Sequence, residues 1–593
     1  MADKTAKKQN VLGGAMVLVV ATALVKVIGA IYKIPLTGII GSLGRGYFAS
    51  AYNIYTPIYA ISMAGLPVAV STIVSKNAAL GKYRDVKQVL KITFPLFLAL
   101  GLVGTGVLFA AAKPYVNSVG SQYAIYSVLA IAPSVLFCCV MSTYRGYYEG
   151  LNNMYPTAIS QVIESLGKLV FGLALSYAVI NYATAQVAST GSFMGCVAEN
   201  GTLPSIAYAM AAAGAVLGVT LGTVFANIYT MLFHKIKKDG ISKEMLVNSP
   251  IASPKKDTLN EIIKIAVPTA VSSLVLNITN FIDTWMIQNR LKSVVEGSYD
   301  VIMDIYGESI NAANIGADAI HTFLYGAYDT TLDFRNLIPT IMMTLGVSAI
   351  PIISGAKAKN DKKTVNDTVN TVFRTTMLIA LPAGMGFFAL SEPILALLYN
   401  GTENQSGIAI AAPVLALYGL MMAILTLSSP LTNMLQAIGR ADVPAKALAI
   451  GCVFKVGLNY ILIGIPEINI KGAVFGTAFF YLLCIFINYA VLRKETGVRI
   501  DIKTVIVKPL IAAVLCGVSA WGSYTLLSSV LTFGDMNSRL NGNSLACLIS
   551  IGVAVVVYAV SALLLKTLVK NDILLLPKGE KLAEILEKYK LIV

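Results

Sequence analysis

The chain has 593 residues, of which 56% are hydrophobic and 13% are charged, and its formal net charge at pH 7 is +15. Soluble globular domains carry about a quarter charged residues, so this composition excludes a soluble class. The chain has no G-x-x-x-x-G-K-S/T phosphate loop, and its two histidines cannot form a metal site by themselves. The sequence therefore predicts a non-enzymatic membrane protein without a metal or an organic cofactor.

Fourteen apolar stretches are long enough to cross the roughly 30 Å hydrocarbon core of a bilayer, which needs about 20 helical residues. We refer to them as spans 1 to 14, and they lie at 12–36, 49–75, 91–112, 122–142, 157–181, 204–233, 262–288, 332–354, 373–399, 407–435, 443–464, 470–492, 506–530 and 544–568. Stretches of this length predict an all-α integral membrane protein with fourteen transmembrane helices.

Lys and Arg are concentrated in alternate connections between the spans. Of the 45 basic residues, 34 lie in the two ends and in every second connection, 7 lie in the opposite connections and 4 lie within spans. Because cytoplasmic loops retain Lys and Arg, this bias predicts that both termini are cytoplasmic. It also explains the positive net charge by contact with anionic membrane lipids, without nucleic acid.

Span 1 carries Lys26 and Lys33, which are seven residues apart and therefore share a helix face. A charge near the middle of a bilayer costs on the order of 3 kcal/mol, so it usually faces protein or a wet cavity. Two cations without an acid in the same span suit an anionic ligand such as a pyrophosphate. The alternative is that either amine snorkels to the membrane surface.

Span 5 carries Glu164 and Lys168. These residues are four apart in the favourable orientation, so the sequence predicts a salt bridge within the helix. A structural role is expected for the pair, and substrate binding is the alternative.

Span 7 carries an almost continuous polar stripe. Its members are Ser273, Asn277, Asn280, Asp283 and Thr284. A polar stripe facing lipid would be unstable, so it is expected to face a cavity or another helix. Asp283 would pair with Lys33 or bind a coupling cation, and a helix-packing seam is the alternative.

Two further cations in the second half are candidate ligand contacts. Arg335, at the outer mouth of span 8, either meets the ligand or anchors at the interface. Lys455 lies one turn before Asn459 in span 11, which has no acid. Lys455 is therefore expected to bind a lipid phosphate or a substrate.

The longest outside connection, 290–331, is acidic and contains apolar residues at Val301, Ile302, Ile305 and Tyr306. This pattern predicts an amphipathic external helix, as part of a lid or of a solvated insertion. At the C-terminus, apolar Leu582, Ile585, Leu586 and Tyr589 share a helical face beside lysines, which predicts a helix on the inner membrane surface over 571–593.

The two halves of the chain resemble each other. GLPVAVS at 65–71 matches GVSAIP at 346–351, and Lys168 matches Lys455 at an offset of 287 residues. Six spans per repeat preserve orientation, so we expect two lobes related by a pseudo-twofold axis along the membrane normal. The predicted parts are an N-lobe (1–240, spans 1–6), a C-lobe (241–500, spans 7–12), spans 13 and 14 (501–570) and the terminal helix.

Several motifs carry a family resemblance. They are IYKIPLT at 31–37, AYNIY at 51–55, AGLPVAVS at 64–71, RGY at 145–147, MYPTAISQ at 154–161, IDT at 282–284 and LQAIGR at 435–440. The chain resembles the stage V sporulation protein B / polysaccharide biosynthesis family of the MOP exporter superfamily, which is related to lipid II flippases. The resemblance covers 10–500 strongly and the last two spans weakly.

The resemblance implies a flippase that moves an undecaprenyl-pyrophosphate-linked sugar, lipid II in the first place, from the inner to the outer leaflet of the bacterial plasma membrane. It also implies that Lys26 and Lys33 lie in a central cavity, although relatives favour Arg there. The expected mechanism is alternating access, driven by the membrane potential or by a coupling cation such as sodium or a proton. The alternatives are a cation-coupled multidrug antiporter and a non-transporting scaffold for envelope or spore assembly.

Overall fold

The computed structural model describes residues 11–198, 202–237, 239–399, 402–534 and 541–567. The described chain is almost entirely helical, with one short β-hairpin. It divides into two compact units, the first formed by Met1–Asn289 and Asn314–Gly326 and the second by Arg290–Ala313 and Ala327–Val593. Residues 241–289, which the sequence assigns to the second lobe, therefore cluster with the first unit.

The first unit is built from the helices before residue 290. These are α1 (Val11–Ala60), α2 (Leu66–Ala79), α3 (Tyr83–Val119), α4 (Ile125–Gly150), α5 (Tyr155–Thr190), α6 (Ser205–Lys237), α7 (Lys243–Val247) and most of α8 (Lys255–Gly297). A π-helical turn, Ile61–Gly65, joins α1 to α2. Strands β1 (Ser192–Phe193) and β2 (Cys196–Val197) form an antiparallel hairpin after α5.

Helix α1 contains span 1 and the first part of span 2, which continues through the π-helical turn into α2. It changes direction at Gly41, whose φ of 61° lies in the left-handed region that glycine adopts most readily. The connection between spans 1 and 2 contains Arg45, one of the seven basic residues counted above in the opposite connections. The structure makes this connection helical rather than a loop and buries Arg45. The guanidinium lies 5.9 Å from the Phe48 ring centroid, so a cation–π contact compensates part of its desolvation.

Helices α5 and α6 approach each other closely because small residues line their contact. On α6, Gly214, Gly218 and Gly222 recur every four residues, a pattern that lets helix backbones approach in membranes. A Cβ on Gly222 would lie 2.9 Å from the backbone nitrogen of Lys168 on α5, and one on Gly167 would lie 2.5 Å from the Cα of Gly222. This approach fixes the backbone that carries Lys168.

The connection between α6 and α8 docks on the beginning of α3. Asp85 accepts hydrogen bonds from the Ser253 backbone (2.7 Å) and hydroxyl (3.3 Å). Arg84 donates to the Leu246 carbonyl at 3.0 Å, and Gln88 donates to the Ser253 carbonyl at 2.7 Å. A segment with few apolar residues is thus held by its backbone groups.

The second unit contains the remaining helices. They are α9 (Tyr299–Ala312), most of α10 (Ile320–Ala358), α11 (Lys362–Ala389), α12 (Ser391–Leu398), α13 (Thr402–Ala437), α14 (Asp442–Ile463), α15 (Gly472–Thr496), α16 (Lys508–Val530) and α17 (Gly542–Leu564). Asp361 caps α11 by accepting from the Thr364 backbone at 3.0 Å. Buried apolar side chains such as Ile353, Val369 and Leu431 form a core between its helices.

In the described residues the predicted spans fall largely on helical segments, and spans 2 and 9 each extend over two α-helices. In the described part of the chain, eleven helical segments are long and apolar enough to cross a membrane, and one of them, Val20–Ala79, holds spans 1 and 2. Spans 7 and 8 lie on α8 and α10. The count of fourteen crossings and the two-lobe symmetry stay predictions.

The helix predicted within 290–331 is confirmed as α9, which buries Ile302 and Tyr306. Its role as a lid or insertion stays open to experiment. The helix predicted over 571–593 lies outside the described residues, as do the first ten residues with their lysines.

Candidate functional site in the first unit

Lys168 of α5 lies against two tyrosines of α1. Its ammonium nitrogen is 4.8 Å from the ring centroid of Tyr32 and 5.0 Å from that of Tyr52. Tyr32 is completely buried, and its hydroxyl donates to the Ala215 carbonyl of α6 at 3.1 Å. The two electron-rich ring faces stabilise the cation at a place where bulk water is scarce.

Glu164, one turn before Lys168, has an ion-pair partner on a different helix. Its Oε2 lies 3.1 Å from a guanidinium nitrogen of Arg145 on α4, and the two side chains are 18% and 2% exposed. Arg145 also donates to the Ser160 hydroxyl at 2.8 Å. The salt bridge predicted between Glu164 and Lys168 is therefore corrected to Glu164 and Arg145, because the extension of α4 to Gly150 brings a guanidinium beside α5.

Lys33 belongs to the same neighbourhood. The Tyr52 hydroxyl interacts electrostatically with Lys33, Glu164 and Arg45, and the half-buried Lys33 lies one helix residue beyond Tyr32. The cluster of Lys33, Arg145, Glu164 and Lys168 thus combines three cationic side chains with one carboxylate. We call these four residues, together with Tyr32 and Tyr52, the N-unit cluster.

Lys26 lies two turns before Lys33 on α1 and is exposed on the surface of the described chain. The structure gives it no contact with the N-unit cluster. Its role as a ligand contact stays a prediction.

The residues of the polar stripe of α8 differ in burial and in hydrogen bonding. Asp283 is 6% exposed, whereas Asn277 is half-buried and Asn280 exposed. The Asn277 side chain donates to the Ser273 carbonyl at 2.8 Å, and the Asn280 carbonyl accepts from Thr284 at 2.9 Å. Local bonds therefore satisfy part of the stripe, and Asp283 is its buried acid.

The cations predicted in the second half contact aromatic rings of the second unit. The Arg335 guanidinium lies 5.5 Å from the Tyr418 ring centroid and donates to the Tyr418 hydroxyl at 3.5 Å. Lys455 lies 5.7 Å from the Phe480 ring centroid. Both cations therefore lie against aromatic surface. This placement is compatible with an anion-binding site and with a structural anchor.

Sequence reasoning missed Arg145 as a buried cation and gave Tyr52 and Tyr59 no role. Predicted span 4 ended at residue 142, which left Arg145 in a loop. Tyrosines at 52, 55 and 59 recur on one helical face, and that periodicity was the available signal. Among the described residues, no group of three His, Cys, Asp or Glu side chains is arranged to hold a metal ion.

Comparison with known proteins identifies the family. Residues 11–308 match the family model described as "Polysaccharide biosynthesis protein". The chain belongs to this family. Residues 337–538 also match the family model described as "Lipid II flippase MurJ", and the predicted similarity to stage V sporulation protein B is confirmed.

Two relatives from Bacillus subtilis (strain 168) are similar over most of their length. The "Lipid II flippase MurJ" is 24% identical over 520 residues, which cover 85% of this chain and 87% of the relative. "Stage V sporulation protein B" is 23% identical over 497 residues, which cover 84% and 86%. The chain is thus similar to both relatives over most of its length, and this similarity, together with its helical segments, indicates a multi-pass membrane protein.

Solved structures show the same fold. A structure titled "Lipid II flippase MurJ, inward closed conformation" superimposes with a TM-score of 0.59 at 15% identity, covering 93% of this chain and 98% of that one. An inward-facing multidrug resistance MATE family transporter of the MOP superfamily gives a TM-score of 0.55 at 15% identity, covering 81% and 98%. At this identity the likeness concerns the fold alone.

Proposed function

We propose that this protein flips an undecaprenyl-pyrophosphate-linked sugar, in the first place lipid II, from the inner to the outer leaflet of the bacterial plasma membrane by alternating access. The observation that carries the proposal is the N-unit cluster, where Lys168 lies against the rings of Tyr32 and Tyr52 and Tyr52 also interacts electrostatically with Lys33. The name of the Bacillus subtilis relative, a lipid II flippase, supports the same substrate.

The charge of the cluster favours an anionic cargo. Three cations accompany one carboxylate, and Arg145 already neutralises that carboxylate. Lysine ammonium groups bind phosphate as compact point charges. A site for cationic drugs would instead need an acid that no basic side chain neutralises, so the cluster argues against the antiporter hypothesis.

The energy for net outward movement is proposed to come from the membrane potential or from a coupling cation. Moving one charge through 100 mV is worth about 2.3 kcal/mol. In an inside-negative cell this bias favours outward movement of an anionic headgroup. Asp283, a buried carboxylate in a polar stripe, is the proposed place for a coupling cation.

Reconstitution tests the proposal directly. Purified protein in liposomes with fluorescent lipid II is expected to accelerate its leaflet exchange, and an imposed potential is expected to bias its direction. Lys168→Gln removes a charge-assisted phosphate contact worth about 1.5–3 kcal/mol, so exchange is expected to slow about tenfold or more. Lys26→Gln, outside the N-unit cluster, tests the remaining span 1 cation in the same assay.

Unchanged exchange in the presence of the protein would contradict the proposal. Uptake of a cationic dye without lipid exchange would point to the antiporter hypothesis. Normal exchange by Lys168→Gln at equal protein levels would remove the N-unit cluster from the substrate path.

A further inference from the structure

A row of aromatic side chains runs along one face of α1 beside the N-unit cluster. The ring centroids of Phe48 and Tyr52 are 4.7 Å apart and stacked, those of Tyr52 and Tyr55 are 6.0 Å apart, and those of Tyr55 and Tyr59 are 5.2 Å apart. Tyr55 is buried, whereas Tyr52 and Tyr59 are half-buried. The row therefore leaves part of Tyr52, which lies against Lys168, and part of Tyr59 accessible.

The tyrosine hydroxyls of this row differ in their bonding. The Tyr55 hydroxyl contacts the Cys138 sulfur at 3.8 Å. Within the described part of the chain, no hydrogen bond is made by the hydroxyls of Tyr52 and Tyr59. Packing alone does not require these two hydroxyls, because phenylalanine would fill almost the same volume.

Glu164 adds a free acceptor to the same place. Arg145 takes up its Oε2, and Oε1 has no hydrogen-bond partner among the residues that the structure describes. Tyr52 and Tyr59 both interact electrostatically with Glu164. Two phenol side chains and one carboxylate thus belong to the same neighbourhood as the aromatic row.

This combination fits a sugar ring. A pyranose presents several hydroxyls that donate and accept hydrogen bonds, and its C–H faces carry the partial positive charge that an electron-rich ring face attracts. A carboxylate accepts two hydroxyl donors well, and such charge-assisted bonds are stronger than neutral ones. An apolar lipid tail would use none of these polar atoms.

We infer that Tyr52, Tyr59 and Glu164 Oε1 form a saccharide subsite that holds the sugar directly attached to the pyrophosphate, while Lys168 binds the phosphate. This inference rests on the proposed function and deepens it, since it assigns the sugar and the phosphate to different side chains. Tyr52 joins the two parts, because its ring centroid lies 5.0 Å from the Lys168 ammonium and its phenol interacts electrostatically with Glu164. The subsite recognises a neutral hexose or N-acetylhexosamine ring.

The test compares two ligands that differ only in the sugar. Binding of undecaprenyl pyrophosphate and of undecaprenyl-pyrophosphoryl-N-acetylglucosamine to the full-length protein in detergent is measured by thermophoresis. Tyr52→Phe and Tyr59→Phe keep the rings and remove one neutral hydrogen bond each, so each is expected to weaken binding of the sugar-bearing lipid about threefold to tenfold. Binding of undecaprenyl pyrophosphate is expected to change less than about twofold.

The matched control is Tyr55→Phe. It makes the same chemical change in the same row, but its hydroxyl contacts Cys138, so binding of both lipids is expected to be unchanged. Lys168→Gln is expected to weaken both lipids equally.

The outcomes separate this inference from the proposed function. If Lys168→Gln weakens both lipids while the Tyr52 and Tyr59 variants bind both normally, the saccharide subsite is wrong and the flippase proposal stands. If wild-type protein binds neither lipid, the proposed function itself fails. Equal weakening of both lipids by Tyr52→Phe would assign its hydroxyl to the phosphate and overturn the subsite.

Discussion

Asp239 is a buried carboxylate in the connection that follows α6. Its side chain is 2% exposed and forms an ion pair with Lys87 of α3, and it accepts from the Tyr147 hydroxyl of α4 at 2.6 Å. Burial opposes its ionisation, but the hydrogen bonds from Lys87 and Tyr147 outweigh burial and hold the pKa of Asp239 below its usual 3.8. The Asp239 carboxylate therefore links this connection to α3 and to α4.

Asp239→Asn is expected to lower the free energy of unfolding by about 1–3 kcal/mol at pH 7, because it removes hydrogen bonds to a charged group. A folded-state pKa below the unfolded one stabilises above the unfolded value and loses that effect as the pH falls through the folded value. The difference between variant and wild type should therefore shrink below about pH 4. Thermal unfolding in detergent at several pH values measures it.

The matched control for this prediction is Glu296→Gln. That carboxylate is 66% exposed, and its ion pair with Lys292 is long, at 3.9 Å. Its loss should therefore change stability by less than about 1 kcal/mol at any pH. A penalty for Asp239→Asn that is equal at pH 7 and pH 3.5 would contradict the role assigned to its charge.

Helix α6 shows how an element positions the site. Its glycines let it approach α5 at Gly167 and Gly172, and a Cβ on Gly218 would collide with the backbone of Gly172. The carbonyl of Ala215 on the same helix accepts from the Tyr32 hydroxyl. The helix contact thus fixes both Lys168 and one of the rings on which it lies.

Gly218→Ala is expected to destabilise the protein by about 1–3 kcal/mol, because α5 and α6 must separate to admit a methyl group. Gly106→Ala in α3 is the matched control, since a Cβ there would meet nothing within 4 Å. That control should be neutral or stabilising by up to about 1 kcal/mol. Thermal unfolding in detergent measures the stability of the two variants. Equal stabilities would contradict the close contact between α5 and α6.

At the scale of the whole molecule, the distribution of charge predicts orientation. The connection 234–264 carries seven basic residues, and its Ile251 side chain is 86% exposed. The hairpin of β1 and β2 carries half-buried Cys196 and belongs to a connection predicted on the opposite side. The two positions should therefore meet different solutions.

Ile251→Cys, with Cys196 and Cys452 changed to Ser, is expected to react with a membrane-impermeant maleimide only after cells are permeabilised. Native Cys196, with only Cys452 changed to Ser, is expected to react in intact cells. The charge bias is the physical reason, since basic connections resist translocation. Labelling of Ile251→Cys in intact cells would overturn the predicted orientation.

The sequence by itself determined that this chain is a helical membrane protein of the polysaccharide biosynthesis protein family. In the described residues the predicted spans fall largely on helical segments. Hydropathy is a property of the local sequence, and a backbone in lipid must satisfy its own hydrogen bonds, so apolar stretches of this length form helices. The family resemblance followed from short motifs in the sequence, and the family model that matches residues 11–308 agrees with it.

Only the tertiary structure decided which side chains meet. Local spacing predicted an ion pair between Glu164 and Lys168. In the structure Glu164 pairs with Arg145, 19 residues earlier, and Lys168 contacts Tyr32 and Tyr52, which are 136 and 116 residues away in the chain. Arg45 was assigned to a loop and is buried in a kinked helix. The reason is that an ion pair or a cation–π contact depends on distances between helices, and those distances are set by packing contacts such as the α5–α6 glycines, which no periodicity within one helix encodes.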